Sequence, residues 1–105
     1  MLTQAELANL KKETAEESHG LLGVFGALSD ASRFRIFKLL LRERDLCVTD
    51  IANVLAISVP AASQQLKVLE TSGLVSRQRH GQMICYTVRQ HEPLVKAVIK
   101  ILSGS

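Results

Sequence analysis

The chain has 105 residues, of which 47% are hydrophobic, 22% charged and 4% aromatic. This composition predicts a single folded domain with an aliphatic core and argues against a disordered chain. The formal net charge of +3 permits a polyanionic partner without requiring one. The sequence shows neither a membrane-length apolar run nor a signal-peptide pattern, so we expect a cytoplasmic protein without a membrane partner.

The first part of the chain is predicted to be helical. A strongly charged helix over 4–17 is followed by a second short helix over 21–28, which Gly20 precedes and Gly23 and Gly26 interrupt. Small residues of this kind allow close packing of backbones, although each glycine weakens a helix by about 1 kcal/mol relative to alanine. Asp30 is a suitable N-cap for a third helix over 31–42.

A helix-turn-helix pattern comes next. A helix is predicted at about 50–56, capped by Thr49 or Asp50, and Ile57-Ser58 forms the turn. Ser58 is predicted to cap the following helix, which ends near Ser72-Gly73, and Pro60 lies in its first turn, where a missing N–H costs little.

The remainder of the chain predicts a hairpin and a terminal helix. Residues 74–79 and 83–88 alternate like two strands around a turn at His80-Gly81-Gln82, and a last helix spans about 91–102. That helix is too apolar for the terminal helix of a monomer, so we expect it to form a dimer interface with the N-terminal helix.

Together the elements predict a mainly α (α+β) winged helix-turn-helix fold with five to six helices and a two-stranded β-wing. We expect one domain over 1–105, a homodimer through its N- and C-terminal helices. Its predicted parts are an N-terminal dimerisation helix (1–18), a helix-turn-helix (48–73), a wing (74–89) and a C-terminal dimerisation helix (91–102).

The helix over 58–71 has the pattern of a helix that reads DNA. Ala62, Leu66 and Leu69 fall on one side, which leaves a small, polar face at the helix start. Glutamine can donate to and accept from adenine, and the basic hairpin suits phosphate contacts. The alternatives are a solvated helix face and an ordinary charged hairpin. The candidate DNA-binding residues are Ser58, Pro60, Ala61, Ser63, Gln64, Gln65, Lys67, Arg77, Arg79 and His80.

Four stretches carry a resemblance to a known family: Leu28–Ile36, Asp45–Ala52, Ala62–Val75, and the hairpin from Arg79 to Val88. With these motifs the chain resembles the ArsR/SmtB family of small winged-helix repressors over about residues 19–100. The resemblance implies a homodimer that binds double-stranded operator DNA and releases it when an inducer binds.

The chain departs from the metal sites of that family. Cys47 matches the first position of a Cys-Val-Cys site, but Thr49 stands at the second, and residues 1–46 contain no cysteine. In a second family site, Arg89 and Glu92 stand where an aspartate and a histidine bind metal. We therefore predict neither site and no cofactor, and a metal ion at some other position stays open.

The two cysteines are the other candidate sensor. In winged helices the segment around 46–48 pairs with the second wing strand, which would bring Cys47 and Cys85 onto neighbouring strands. Two functional hypotheses follow: a reversible thiol switch, or part of a thiol metal site completed by His80 or His91. The alternative is two unrelated free cysteines, which a reducing cytoplasm would keep as thiols.

An enzyme is not expected, because the sequence has no phosphate-binding loop, paired acid and base carboxylates or nucleophile elbow. The favoured function is a transcriptional repressor with an unknown inducer, with thiol oxidation preferred over a metal. The alternative is a dimeric winged-helix interaction module that does not bind DNA sequence-specifically.

Overall fold

A computed structural model describes the backbone of residues 1–104 and the side chains of 1–15 and 20–104. Within that range five helices and three short strands form a winged helix-turn-helix, as predicted. In chain order they are α1 (Gln4–Leu28), α2 (Ala31–Arg42), β1 (Leu46–Cys47), α3 (Val48–Leu55), α4 (Val59–Thr71), β2 (Val75–His80), β3 (Met83–Val88) and α5 (Pro93–Ser103).

The N-terminal region is one helix rather than the two predicted. A capping box at Thr3 and Glu6 starts α1, which continues for 25 residues to Leu28. Single glycines weaken a helix without ending it, and burial of Val24 and Ala27 holds the C-terminal half on the core. The close backbone packing expected at the glycines is not met within the chain, because a Cβ at Gly20, Gly23 or Gly26 would meet nothing within 4 Å.

Helix α2 has the predicted bounds and supplies much of the core. The Asp30 carboxylate accepts a hydrogen bond from the Arg33 N–H at 3.0 Å and caps the helix. Ile36 and Phe37 are fully buried in one continuous apolar cluster, and the helix contacts α1, α4 and β3.

Helix α3 begins at Val48, two residues earlier than predicted, and neither Thr49 nor Asp50 is its N-cap. The chain passes directly from β1 into the helix, so that Cys47 is both the last strand residue and the N-cap. The Asp50 carboxylate instead accepts from the Cys47 N–H at 3.4 Å. Ala56 then takes a left-handed conformation (φ 56°) at the helix C-terminus and turns the chain towards α4.

The three described strands form an antiparallel sheet in the order β1-β3-β2. The predicted pairing of the 46–48 segment with the second wing strand is present, with Leu46 opposite Tyr86. The wing turn has two residues instead of three, because His80 still pairs with Met83. Gly81 makes this tight turn possible by adopting a φ of 65°.

Helix α5 starts at Pro93 rather than at 91. Val95 and Val98 are buried, whereas Ile101 is 66% exposed. Among the helices of the described part of the chain, we find none with the length and apolarity that crossing a membrane requires.

Candidate nucleic-acid interface

Helix α4 is anchored on its inner side and capped at its start. Ala62, Leu66 and Leu69 are fully buried, as their spacing predicts. Ser58 is the N-cap, and its Oγ accepts a hydrogen bond from the Ala61 N–H at 3.2 Å. These contacts fix both the depth and the rotation of the helix in the fold.

The outer side of α4 carries most of the predicted DNA-binding residues. Ser58, Pro60, Ala61, Gln64 and Lys67 are exposed, and Ser63 is half-buried. The helix start therefore presents short side chains, a free amide and one cation to solvent. The positive end of the helix dipole also favours phosphate.

Gln65 has a different environment from Gln64. It is half-buried, and its Oε1 accepts a hydrogen bond from Arg33 Nη1 at 2.9 Å. Arg33 Nε also donates to the Ala27 carbonyl at 2.7 Å, so that this arginine links α1, α2 and α4. The sequence pattern missed this role, because a single arginine in a family motif has no periodicity that would reveal its partners.

The wing presents arginines beside α4. Arg77 and Arg79 are exposed, and residues 74–90 contain no acidic side chain. Arg77 lines an open cavity of about 430 Å³ between α3, α4 and the wing, together with Ser63 and Lys67. Arg79 Nε donates to the Gly81 carbonyl at 2.9 Å, which ties this side chain to the wing turn. The cavity therefore has two cations, Lys67 and Arg77, and one carboxylate, Glu70, in its lining, with the polar helix face on one side.

Tyr86 supports the floor of this groove. It is 4% exposed and lines the same cavity. Burial and the nearby Glu70 carboxylate raise the pKa of Tyr86, and Arg77 partly opposes this shift. The phenol therefore stays neutral at physiological pH and adds no negative charge to the groove.

His80 is exposed at the end of β2, but it does not lie with Arg77 and Arg79. Successive side chains of a strand point to opposite faces of the sheet, which separates His80 from its arginine neighbour. Its Nε2 lies 3.7 Å from Asp45 Oδ2, and both side chains are about half exposed. This partner distinguishes His80 from the other predicted DNA-binding residues.

Cys47 and Cys85 are directly opposite each other on β1 and β3, and they form a disulfide. The expectation that both are reduced thiols therefore does not describe this structure. Their Cα atoms are 3.9 Å apart, less than the usual span of about 4.4–6.8 Å. The bond joins the N-cap of α3 to the central strand of the sheet. The alternation of residues 46–48 and 84–86 was the sequence signal for this proximity.

The other two histidines of the chain, His19 and His91, lie outside the wing strands. His91 is exposed and lies one residue before Glu92, the N-cap of α5. The side chain of His19 lies outside the described residues.

The fold and this surface define a class of protein: a winged helix-turn-helix in which a polar helix and a cationic wing flank one groove. Comparison with known sequences agrees with that class. The sequence model described as "Bacterial regulatory protein, arsR family" matches residues 30–77. A cadmium resistance transcriptional regulatory protein CadC homolog of Staphylococcus aureus is 34% identical over 79 residues, which are 74% of this chain and 65% of that protein.

Solved structures agree over more of the chain. Reduced HlyU from Vibrio cholerae is 30% identical with a TM-score of 0.73, over 87% of this chain and 93% of that one. A homodimeric winged helix-turn-helix DNA-binding domain from Mycobacterium bovis is 25% identical with a TM-score of 0.73, over 87% of this chain and 84% of that one.

This chain belongs to the ArsR family of bacterial regulatory proteins. It spans 56% to 65% of the length of the first curated relatives that it matches. These relatives are named as regulators of transcription, in line with the expectation that the chain is not an enzyme.

Proposed function

We propose that this chain is a homodimeric repressor that binds duplex operator DNA through α4 and the wing. The observation that carries the proposal is the shared groove of Ser63 and Lys67 on α4 with Arg77 on the wing. A helix that enters the major groove reads base edges, and arginines beside it contact the adjacent phosphates. The exposed amide of Gln64 is the candidate for base recognition, and Arg77 and Arg79 are the candidates for backbone contacts.

The homodimer is proposed because apolar side chains remain exposed on α1 and α5. Leu21, Leu22 and Phe25 on α1 and Ile101 on α5 are between 41% and 69% exposed. Burying them against a second copy would remove apolar surface from water and would pair two α4 helices. The homodimeric relative from Mycobacterium bovis supports this arrangement.

We further propose that oxidation of Cys47 and Cys85 is the inducing signal. Two thiols react with one molecule of hydrogen peroxide to give the disulfide and two molecules of water. The bond links the first helix of the helix-turn-helix to the strand that carries the wing. It therefore changes how freely Arg77 and Arg79 can move relative to α4. In this proposal the dithiol form binds the operator and the disulfide form releases it.

A gel shift on the DNA upstream of this protein's own gene tests operator binding. The reduced protein should keep its shifted band in excess unrelated competitor DNA, because specific binding exceeds non-specific binding by about 10³–10⁷. Competitor that removes the band as readily as unlabelled operator would contradict the repressor proposal and favour the interaction module.

The redox proposal is tested by repeating the titration after peroxide treatment, with mass spectrometry to count the Cys47–Cys85 bonds. We expect oxidation to weaken operator binding by about 5- to 150-fold, the usual range of a coupling free energy. The Cys47→Ser variant is the control and should lose the response. Equal affinities of the fully oxidised and fully reduced proteins would refute thiol control while leaving operator binding intact.

A further inference from the structure

A second set of donor atoms surrounds the disulfide. Asp45, His80 and Cys85 each place one potential ligand atom within 4.8 Å of the other two. The Cys47 sulfur is bonded to that of Cys85 and so lies next to this group, but it is not among the atoms that are within 4.8 Å of one another. A carboxylate, an imidazole and one sulfur therefore converge, with a second sulfur beside them.

The fold assembles this cluster from all three described strands. Cys47 lies on β1, Cys85 lies opposite it on β3, and His80 ends β2. Asp45 directly precedes β1 and has a left-handed backbone with a φ of 59°. That conformation costs a non-glycine residue roughly 1–2 kcal/mol, although aspartate tolerates it better than most residues. It brings the Asp45 carboxylate within reach of the His80 imidazole.

We propose that the reduced protein binds one soft divalent cation per chain, of the zinc or cadmium type, through Cys47 Sγ, Cys85 Sγ, His80 Nε2 and Asp45 Oδ2. Two equivalents of a small thiol first reduce the disulfide and become a disulfide themselves. The cation then replaces the two thiol protons, which are released to solvent, and binds the two thiolates. The site uses the same cysteines as the proposed redox response but does not require operator binding.

Three of the four donors are close to tetrahedral spacing, and the Cys47 sulfur must move towards them once the disulfide is reduced. Zinc bond lengths of about 2.0–2.3 Å place tetrahedral ligand atoms roughly 3.3–3.8 Å apart. The separation of His80 Nε2 and Asp45 Oδ2 is already 3.7 Å. The 4.8 Å limit of the cluster exceeds the ideal by about 1 Å, a gap that rotation of the two half-exposed side chains can close. The sulfur side is the fixed part, since Cys85 is only 3% exposed.

The donor types select the class of cation. Thiolate and imidazole favour zinc, cadmium and similar borderline or soft ions, whereas calcium and magnesium prefer oxygen donors throughout. A surface ion pair explains the contact of Asp45 with His80, but it does not explain why two sulfurs lie beside it. Three of the four donors lie on the three described strands, and Asp45 directly precedes β1.

Metal binding and disulfide formation exclude each other at this site. A sulfur in a disulfide no longer supplies a thiolate, and a thiolate bound to a cation is a weaker nucleophile towards an oxidant. The cation therefore protects the dithiol form from oxidation. Either state connects β1 to the rest of the sheet, but only the metal also holds His80 at the wing tip.

The test is a titration of the full chain with Cd²⁺, followed by thiolate-to-cadmium charge-transfer absorption and competition with a chelator. We expect one Cd²⁺ per chain with two thiolates bound in the reduced protein, and no charge-transfer band in the oxidised protein. His80→Ala and Asp45→Asn should each weaken Cd²⁺ binding by at least about tenfold. Their matched controls, His91→Ala and Glu43→Gln, should bind as the wild type does.

Alkylation of the wild-type protein gives a readout that does not depend on variants. Bound Cd²⁺ should slow the reaction of iodoacetamide with Cys47, the more exposed of the two cysteines, as followed by mass spectrometry. The site is refuted if Cd²⁺ fails to bind the reduced protein or fails to slow alkylation of Cys47. Binding that is insensitive to both His80→Ala and Asp45→Asn also overturns the four-donor site. None of these measurements uses operator DNA. Failure of the metal site can therefore be distinguished from failure of the repressor proposal.

Discussion

The two adjacent glutamines of α4 give the sharpest contrast for the DNA interface. Gln64 is exposed on the proposed reading face, whereas Gln65 is half-buried and accepts a hydrogen bond from Arg33. Replacing each by alanine removes the same atoms from neighbouring positions. The two variants should therefore separate the effects on DNA recognition and on folding.

Gln64→Ala should weaken operator binding and leave the fold intact. Removing a bidentate hydrogen bond to a base costs about 1–3 kcal/mol, or roughly 5- to 150-fold, at each half-site. A dimer with two equivalent half-sites would lose about 2–6 kcal/mol if the two effects add. Stability should change by no more than a few tenths of a kcal/mol, because alanine and glutamine are both good helix formers.

Gln65→Ala should have the opposite profile. It removes one hydrogen bond to a guanidinium group, which stabilises a fold by about 1.5–3 kcal/mol. The Arg33 side chain keeps its 2.7 Å bond to the Ala27 carbonyl, so the loss should fall near the lower end of that range. Operator affinity of the folded fraction should change little by comparison.

Fluorescence anisotropy with labelled operator measures the first effect, and urea denaturation measures the second. Discrimination between operator and competitor should fall with Gln64→Ala alone. If Gln64→Ala kept full discrimination while Gln65→Ala lost it with unchanged stability, the assignment of the reading face of α4 would be wrong.

Three further predictions concern the wing, the cap and the dimer. Arg79→Ala should weaken binding to operator and competitor DNA alike. The slope of log K against log salt concentration should become shallower by about 0.9 for each phosphate that the variant no longer neutralises. Lys11→Ala is the control and should leave the slope as it is; an unchanged slope for Arg79→Ala would contradict the role of the wing. Ser58→Ala should lower the free energy of unfolding by about 1 kcal/mol in urea denaturation, because it removes the N-cap of α4; equal stability would contradict that role. Ile101→Asp should shift the protein towards monomer in analytical ultracentrifugation, whereas Val54→Asp on α3 should not; an undiminished dimer would exclude α5 from the interface.

Elements with both a clear period and clear boundary residues were predicted well. Asp30 and Ser58 each precede an amphipathic stretch, and they cap α2 and α4 as expected. The buried positions Ala62, Leu66 and Leu69 follow from the same pattern. Where local propensity and burial agree, sequence reasoning locates a helix to within a residue or two.

The errors came from places where local signals compete with the wider fold. Glycines predicted a break that α1 does not have, since Val24 and Ala27 keep the helix on the core. Polar capping types at Thr49 and Asp50 predicted a later start for α3, whereas strand pairing makes Cys47 the N-cap. These outcomes depend on contacts between distant segments, which a local pattern does not contain.

The candidate sites also include features that the sequence predicted and features that it did not. The exposed face of α4 follows from helical geometry, but the pairing of Gln65 with Arg33 spans 32 residues of sequence. The approach of Cys47 to Cys85 was expected from strand alternation. The position of Asp45 beside His80 depends on a left-handed residue before β1, and nothing in the spacing indicates it.

Hydroxyl-radical footprinting of the reduced protein on the DNA upstream of its own gene tests the central proposal most directly. Two matched reading helices should protect two segments whose centres lie about 10–10.5 base pairs apart, or a multiple of that spacing. Gln64→Ala should abolish this protection at a concentration where the wild type saturates the site. Uniform or absent protection by the wild-type dimer would contradict sequence-specific binding through α4 and the wing.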